Sequence, residues 1–283
     1  GLFFALPLCK RDSDIVITSP LQSVGYVDLT LKALNDFGIN IEKDGYSKFW
    51  ISGNQKYIAP SHYSVEGDFS QAAFFAVANY LGSNVEMRGL CDESLQGDKI
   101  IFELLKQLDK RNCNCKIEKT EDENNESCKT NKLKVENNEG CKIEKTEVEN
   151  NESCKTFVVD GKDCPDIIPI FSLACALTKG VTKIVDIGRL RVKECDRIMA
   201  ICKGLGLLGA HIVEGKDFVE ITGVDSLEGG VSVDSFGDHR IAMTMAIAAL
   251  VCKKPITIVG AECVKKSYPN FFEDYASLGG KIV

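Results

Sequence analysis

The sequence lacks any apolar run of the roughly 18–20 residues that a membrane-spanning helix needs. The first residues also lack a basic stretch followed by an apolar core and a small-residue cleavage site, which is the pattern of a secretory leader. Both absences argue against insertion into a membrane or passage through one. We therefore expect a soluble, cytoplasmic protein that has no membrane partner.

An excess of positive charge is absent as well. Lysine and arginine total 34 against 41 aspartates and glutamates, which gives a formal net charge of −7. A globally acidic surface does not attract nucleic acid or anionic lipid, so we expect neither as a partner. Any anion that the protein binds must be held by a local cluster of basic residues.

The cysteines lack the short CxxC spacing that is typical of zinc sites. Their number is odd, 13, and eight of them lie scattered through ordinary globular sequence, which favours free thiols in a reducing compartment. Four others, Cys115, Cys128, Cys141 and Cys154, follow a constant step of 13 residues. That step arises automatically from repetition of one segment, so no metal site is predicted.

The repeated segment occupies 115–130 and again 141–156, and the two copies differ at a single position. Residues 112–156 are rich in glutamate, lysine and asparagine and poor in apolar side chains. Such a composition cannot bury enough surface to offset the entropy that is lost on ordering. We predict a low-complexity, disordered surface insert at 112–156 that the fold tolerates.

Elsewhere, helix and strand patterns alternate along the chain. Helices are predicted at 27–39, 70–82, 96–108, 167–180, 196–209 and 239–252. Strands are predicted at 12–18, 50–52, 83–90, 181–187, 210–213 and 255–262. This alternation predicts an α/β protein of repeated modules. The chain opens inside the apolar segment GLFFALPL, with no methionine and no capping residue before it, so we interpret its beginning as a cut edge.

Three short segments place basic residues beside predicted helix starts or glycines: RLRVKECDR at 189–197, GDHRIAM at 237–243 and KKSYPNFF at 265–272. Free N–H groups and the macrodipole at a helix start favour anions, and arginine forks fit carboxylate and phosphate groups. One such segment alone is more often a solvated face. Three of them in an acidic protein indicate that they converge on an anion site.

Two carboxylates could work within such a site. Asp166 follows Pro165 at the start of an apolar helix, where capping is the ordinary role of an aspartate. Glu194 can pair at the surface with Arg191 or Arg197. Spacing alone favours these structural roles. If both carboxylates instead face a cleft lined with cations, they are candidates for the general acid and base.

The same segments resemble the EPSP synthase family. RVKECDR is similar to that family's RxKExDR segment, GDHRIAM to NDHRxAM, AECVKKSYPNFFED to the terminal CxxKxxPxFF block and VEGDFSQAAFF to the EGDxSxA turn. Their order and spacing agree, and the resemblance covers the chain except 112–156. Several linked motifs are far more specific than one glycine pattern.

The resemblance implies a fold of two lobes, each built of three βαβαββ units in an inside-out α/β barrel, that close on the substrates. It places 1–66 in an incomplete first lobe and 67–283 in the second lobe. The family's N-terminal segment is missing from this chain. We therefore expect the chain alone to be inactive and the complete protein to be a monomer.

The implied reaction transfers the enolpyruvyl group of phosphoenolpyruvate to the 5-hydroxyl of shikimate 3-phosphate, with no metal and no organic cofactor. Asp166 corresponds to the family's general base, and Glu194 to the group that exchanges a proton at C3. The residues that match the phosphoenolpyruvate contacts are Arg197, Arg240 and Lys266. Those that match the shikimate 3-phosphate contacts are Ser23, Tyr26, Asp166 and Lys193. The chain departs from the family pattern at Arg189 and Gly237, where asparagine occurs in other members, so contacts to shikimate there are open.

Two alternatives remain. The sister enolpyruvyl transferase that acts on UDP-N-acetylglucosamine shares the fold and the cosubstrate, although RVKECDR and KKSYP follow the form of the shikimate enzyme. A non-catalytic α/β module could keep the cleft only to bind anions. The presence of Asp166 and Glu194 together with all three cations argues against such a module, which has no need of the set.

Overall fold

A computed structural model of the chain describes residues 1–21, 23–118 and 156–282. The α-helices are α1 (Leu2–Ala5), α2 (Val24–Asp36), α3 (Phe69–Tyr80), α4 (Ile101–Glu118), α5 (Ile168–Ala176), α6 (Arg197–Leu207), α7 (His239–Ala249) and α8 (Phe271–Ser277). The strands are β1 (Ser13–Val16), β2 (Glu42–Asp44), β3 (Lys48–Ile51), β4 (Phe157–Asp160), β5 (Val181–Val185), β6 (His211–Glu214), β7 (Val219–Thr222), β8 (Leu227–Gly229), β9 (Ser232–Asp234), β10 (Cys252–Lys254) and β11 (Thr257–Val259). The protein is therefore a mixed α/β structure.

The strands form small sheets. One antiparallel sheet has the order β1-β3-β2, and β10 pairs with β8 and β11 with β9 in parallel. The largest has the order β4-β5-β7-β6, in which β4 and β5 are parallel and β7 runs antiparallel to both neighbours. Along the chain this sheet is built as β4-α5-β5-α6-β6-β7, which is one βαβαββ unit.

The main core lies around three helices, α3, α5 and α7, that pack against one another. Every residue of α5 is buried, and so are ten of the residues of α7. Helices this apolar on all sides are stable only inside a protein. A separate set of buried side chains, Leu34, Ile39, Phe49 and Ile51, lies outside this core and packs within residues 1–66.

Most predicted elements are confirmed, but the strand predicted at 83–90 is wrong. Val85 lies in that segment, and its backbone N–H and C=O both bond to the side-chain amide of Asn79, at 2.7 and 2.8 Å. Within the described residues the segment pairs with no strand. A strand pattern predicts an extended backbone, but a ladder also needs a neighbour.

The helix predicted at 167–180 ends early, at Ala176, and the next residues form a turn. Several short strands were not predicted, among them β2, β8 and β9, because three residues give too short a pattern to detect. Gly38 and Gly180, which lie at the ends of the helices predicted at 27–39 and 167–180, have φ angles of 79° and 93°, the left-handed region that suits glycine.

The first residues of the range predicted as an insert are helical. Helix α4 continues to Glu118, so its last turns extend into the range 112–156. Residues 119–155, with Cys128, Cys141 and Cys154, lie outside the described residues, and the insert prediction stays a prediction. Among the helices of the described part, none is long and apolar enough to cross a membrane.

Candidate active site

The site lies where the starts of several helices meet. Asp166 lies two residues before α5, Arg197 is the first residue of α6, and Asp238 caps α7 by accepting a hydrogen bond from the backbone N–H of Arg240 at 2.8 Å. The start of α2 approaches the same point through Tyr26. Four elements that are distant in sequence thus bring charged side chains together.

Four side chains converge on the carboxylate of Asp166. The atoms within reach are Tyr26 Oη at 3.1 Å, Lys193 Nζ at 3.4 Å, Arg197 Nη1 at 2.7 Å and Arg240 Nε at 3.5 Å. Asp166 keeps 14% of its side chain exposed, so part of its carboxylate side chain remains open to solvent. Its carboxylate does not cap α5, which has no side-chain cap. The capping interpretation of Asp166 is therefore wrong.

Burial opposes the ionisation of Asp166, but its cationic neighbours outweigh that effect. The charges of Arg240, Lys193 and Arg197 hold the pKa of the Asp166 carboxyl well below its usual range. The Tyr26 hydroxyl responds in the opposite direction, because burial and the Asp166 charge raise its pKa. Asp166 is thus an ionised carboxylate beside a neutral phenol that donates to it.

Arg197 is the centre of the cluster. Its side chain is only 1% exposed, and its fork donates to three carboxylates: Asp166 at 2.7 Å, Glu194 at 2.8 Å and Asp238 at 2.7 and 3.3 Å. A buried guanidinium needs such partners, since an unpaired buried charge is strongly destabilising. Asp238 is fully buried, and both of its carboxylate oxygens accept from Arg197.

Glu194 joins Arg197 to the third basic segment. One carboxylate oxygen accepts from Arg197, and the other accepts from Lys266 Nζ at 2.6 Å. Burial opposes ionisation of Glu194, yet the bonds from Lys266 and Arg197 lower its pKa to about 2. Arg191 does not contact Glu194; it pairs with Asp196 and Glu214. The three basic segments predicted to converge therefore do so.

Ser23 is held at the edge of this cluster. It is the N-cap residue of α2, it has a φ angle of 55°, and its hydroxyl accepts a hydrogen bond from Arg189 Nη1 at 2.6 Å. Arg189 was predicted as part of the basic segment at 189–197 and was noted as a departure from the family pattern. The structure thus brings Ser23, Tyr26 and Lys193 to one side of Asp166, and Arg240 and Lys266 belong to the same network.

Two carboxylates of the site were missed by the sequence reasoning. Asp238 lies inside GDHRIAM. It could have been found only from Arg197, because an arginine that is buried requires an acidic partner. Asp98 accepts a short hydrogen bond from Ser70 and is 5% exposed. Burial raises the pKa of Asp98 to about 6, and the charge of Asp166 contributes. No spacing pattern marks such a residue.

Solved structures share this architecture. The chain superposes on EPSP synthase from Acinetobacter baumannii with a TM-score of 0.70 at 23% identity, covering 99% of this chain and 59% of that one. It superposes on the enolpyruvyl transferase NikO from Streptomyces tendae with a TM-score of 0.61 at 15% identity, covering 97% and 57%. The chain therefore has the fold of an enolpyruvyl transferase.

The EPSP synthase (3-phosphoshikimate 1-carboxyvinyltransferase) family model matches residues 1–275, and the chain belongs to that family. The 3-phosphoshikimate 1-carboxyvinyltransferase of Clostridium botulinum, strain Eklund 17B, is 45% identical over 282 residues, and that of Clostridium acetobutylicum is 43% identical over 286 residues. The matches cover all of this chain but 59% and 58% of those relatives. The chain thus spans a little under three fifths of their length.

Proposed function

We propose that the protein containing this chain transfers the enolpyruvyl group of phosphoenolpyruvate to the 5-hydroxyl of shikimate 3-phosphate and releases phosphate. The observation that carries this proposal is the ionised Asp166 carboxylate, placed among Tyr26, Lys193, Arg197 and Arg240. A base and several fixed cations are what an addition between two anionic substrates requires.

In the proposed reaction, Asp166 accepts the proton of the 5-hydroxyl as its oxygen bonds to C2 of phosphoenolpyruvate. Glu194 delivers a proton to C3, which gives a tetrahedral adduct. In the second step Glu194 takes a proton back from C3, the bond between C2 and the phosphate oxygen breaks, and the proton held by Asp166 leaves with the phosphate. Arg197, Arg240 and Lys266 hold the carboxylate and phosphate of phosphoenolpyruvate. Ser23, Tyr26 and Lys193 hold shikimate 3-phosphate. These roles call for carboxyl groups that exchange protons and for cations that hold anions, and the site contains both kinds of group.

Substrate binding also adjusts the two carboxyl groups. Asp166 and Glu194 are strongly ionised because cations contact them. When substrate carboxylates and phosphates compete for Arg240, Lys193 and Lys266, those contacts weaken and both pKa values rise. That is the direction needed for Asp166 to accept a proton and for Glu194 to carry one.

The two-lobed architecture belongs to the same proposal. We infer that 1–66 is part of a first lobe and 67–283 most of a second, with βαβαββ units repeated in both. The separate buried set of residues 1–66 and the complete unit from β4 to β7 support this division. We further propose that the complete protein is a cytoplasmic monomer that uses no metal or organic cofactor.

The test is turnover by the natural protein that carries this chain, compared with Asp166→Asn. Loss of the base should lower kcat at least about 100-fold, measured as phosphate release with both substrates. Asp163→Asn, three residues earlier and exposed, is the matched control and should retain wild-type turnover. Equal kcat values for Asp166→Asn and wild type would contradict the assignment, and turnover with UDP-N-acetylglucosamine in place of shikimate 3-phosphate would favour the sister enzyme.

A further inference from the structure

Arg191 connects the site to a hairpin that lies outside it. Its guanidinium donates from Nη1 to Asp196 at 2.7 Å, from Nη2 to Glu214 at 3.1 Å, and from Nε to the backbone C=O of Lys216 at 2.9 Å. Nη2 also donates to the C=O of Gly215. All three nitrogens of one side chain are thus engaged with two separate elements.

The hairpin end of this connection is firmly built. Strands β6 and β7 pair in register from His211 opposite Thr222 to Glu214 opposite Val219, and the Gly215 N–H bonds to the C=O of Phe218 at 2.8 Å. The tip also contacts the segment that carries Arg191, because Ile187 N–H donates to the Asp217 C=O at 3.0 Å. Arg191 is therefore anchored to the edge of the four-stranded sheet.

The other end of the connection reaches the site through Asp196. One oxygen of Asp196 accepts from Arg191, and the second caps α6 by accepting from Met199 N–H at 3.0 Å. Arg197, the next residue, is the first of α6, and Glu194 lies two residues before the cap. The position of Asp196 therefore determines where both site residues stand.

We propose that Arg191 is a positioning residue, which fixes Asp196 against the β6–β7 hairpin and so sets the orientation of Arg197 and Glu194. Its effect on kinetics rests on the proposed function, but its effect on geometry does not. Arginine suits this task because its planar fork holds several acceptors at fixed angles, whereas lysine offers one point charge on a flexible stem. Lysine at this position keeps the charge and loses the fork.

The kinetic test compares Arg191→Lys with Asp196→Asn and Glu214→Gln in the natural protein. Asparagine can still cap α6, so Asp196→Asn removes the bond to Arg191 and little else. A small displacement of reacting groups lowers the rate. Arg191→Lys and Asp196→Asn should therefore each raise KM for phosphoenolpyruvate and lower kcat, so that kcat/KM falls by about 10-fold. The double variant should be no worse than either single variant.

Two controls separate positioning from general stability. Glu214→Gln weakens only one of the hairpin contacts of this guanidinium, since the C=O groups of Lys216 and Gly215 still accept from it, so it should lower kcat/KM less than Arg191→Lys does. Arg88→Lys alters another arginine, which is paired with Glu86 and 84% exposed, and should leave kcat/KM unchanged. If Arg191→Lys retains wild-type kcat and KM, or if Arg88→Lys lowers kcat/KM to the same extent, Arg191 has no positioning role.

A second measurement does not depend on turnover. The Arg197 Nε–H, buried and bonded to Asp238 at 2.7 Å, should give a slowly exchanging ¹⁵N NMR signal. Arg191→Lys should speed its exchange at least about fivefold, because the start of α6 is less firmly held, while Arg88→Lys should leave it unchanged. An unchanged signal in Arg191→Lys overturns the inference, whereas absent turnover with an accelerated signal contradicts only the proposed function.

Discussion

At the scale of single residues, the site is organised by charges that share partners. Arg197 satisfies Asp166, Glu194 and Asp238 with one guanidinium, and Asp238 also caps α7. Because Asp238 is fully buried, it has no water to replace a lost partner. Its contribution is structural first, and it reaches the site through Arg197 and through the start of α7, where it accepts from the Arg240 N–H.

Removal of Asp238 should therefore be costly to folding. Asp238→Ala leaves the buried Arg197 with weaker compensation and α7 without its cap, so we expect the free energy of unfolding to fall by about 3 kcal/mol or more. Urea denaturation followed by circular dichroism measures this. The exposed Asp225→Ala should stay within about 0.5 kcal/mol of wild type; a similar small change for Asp238→Ala would contradict the expectation.

Asp98 should make stability depend on pH in a distinctive direction. Burial raises its pKa from 3.8 to about 6, so the folded protein binds this proton more tightly than the unfolded chain does. The contribution of this group is fully present below about pH 4 and is lost as the pH rises through about 6. Asp98→Asn, which still accepts from Ser70, should be more stable than wild type at pH 8 by roughly 2 kcal/mol.

Denaturation midpoints from pH 4 to pH 8 test the Asp98 prediction. The difference between Asp98→Asn and wild type should shrink towards zero as the pH falls to about 4. Asp92→Asn, a nearby exposed site, should show no such trend. A constant difference at every pH would mean that folding does not change the pKa of Asp98.

At the scale of elements, α6 contains two glycines with different surroundings. A Cβ on Gly204 would lie 2.6 Å from Cε and 3.0 Å from Sδ of Met245, which is buried in α7. A Cβ on Gly206 would meet nothing within 4 Å. Gly204 therefore permits the close approach of α6 and α7, and Gly206 only adds freedom to the unfolded chain.

The two alanine variants should consequently differ in sign. Gly206→Ala should raise the free energy of unfolding by about 0.5 kcal/mol, since alanine is the better helix former. Gly204→Ala should lower it by about 1 kcal/mol, because Met245 must move within a packed core. Thermal unfolding of both variants measures the contrast, and stabilisation by Gly204→Ala would contradict the packing argument.

Elements and site residues were predictable to different extents. Helices such as α3 and α7 were predicted because their apolar runs are long, and the basic segments were predicted because linked motifs specify them. The segment at 83–90 was predicted as a strand because its residue pattern indicates one exposed and one half-buried face. An extended segment that pairs with no other strand can show the same pattern. Asp98 was not predicted, since only tertiary burial distinguishes it from any surface aspartate.

At the scale of the whole molecule, residues 1–66 and the larger remainder are joined by polar contacts near the site. Leu34 and Phe49 belong to a buried set that is separate from the main core. Across the boundary, Tyr26 donates to Asp166 and Arg189 donates to Ser23. The same side chains that surround the carboxylate therefore help to dock the two parts.

Hydrogen exchange should report this docking. The double variant Ser23→Ala, Tyr26→Phe removes both contacts, so amides in the first turns of α2 should exchange faster while those of α5 and α7 do not change. Tyr57→Phe removes a bond to the Phe4 C=O within the first part and should leave the start of α2 unaffected. Equal protection of α2 in the double variant and wild type would show that other contacts hold the two parts.

The sharing of Arg197 among three carboxylates also constrains how this protein can diverge. Replacement of any one partner leaves a buried charge that the others must compensate, so the effect of a second replacement depends on the first. Positions 166, 194, 197 and 238 should accept mutations as a group, and a lineage that changes one alone passes through a destabilised intermediate. We therefore expect Arg197 to be replaced rarely for reasons of folding alone, apart from its proposed part in the reaction.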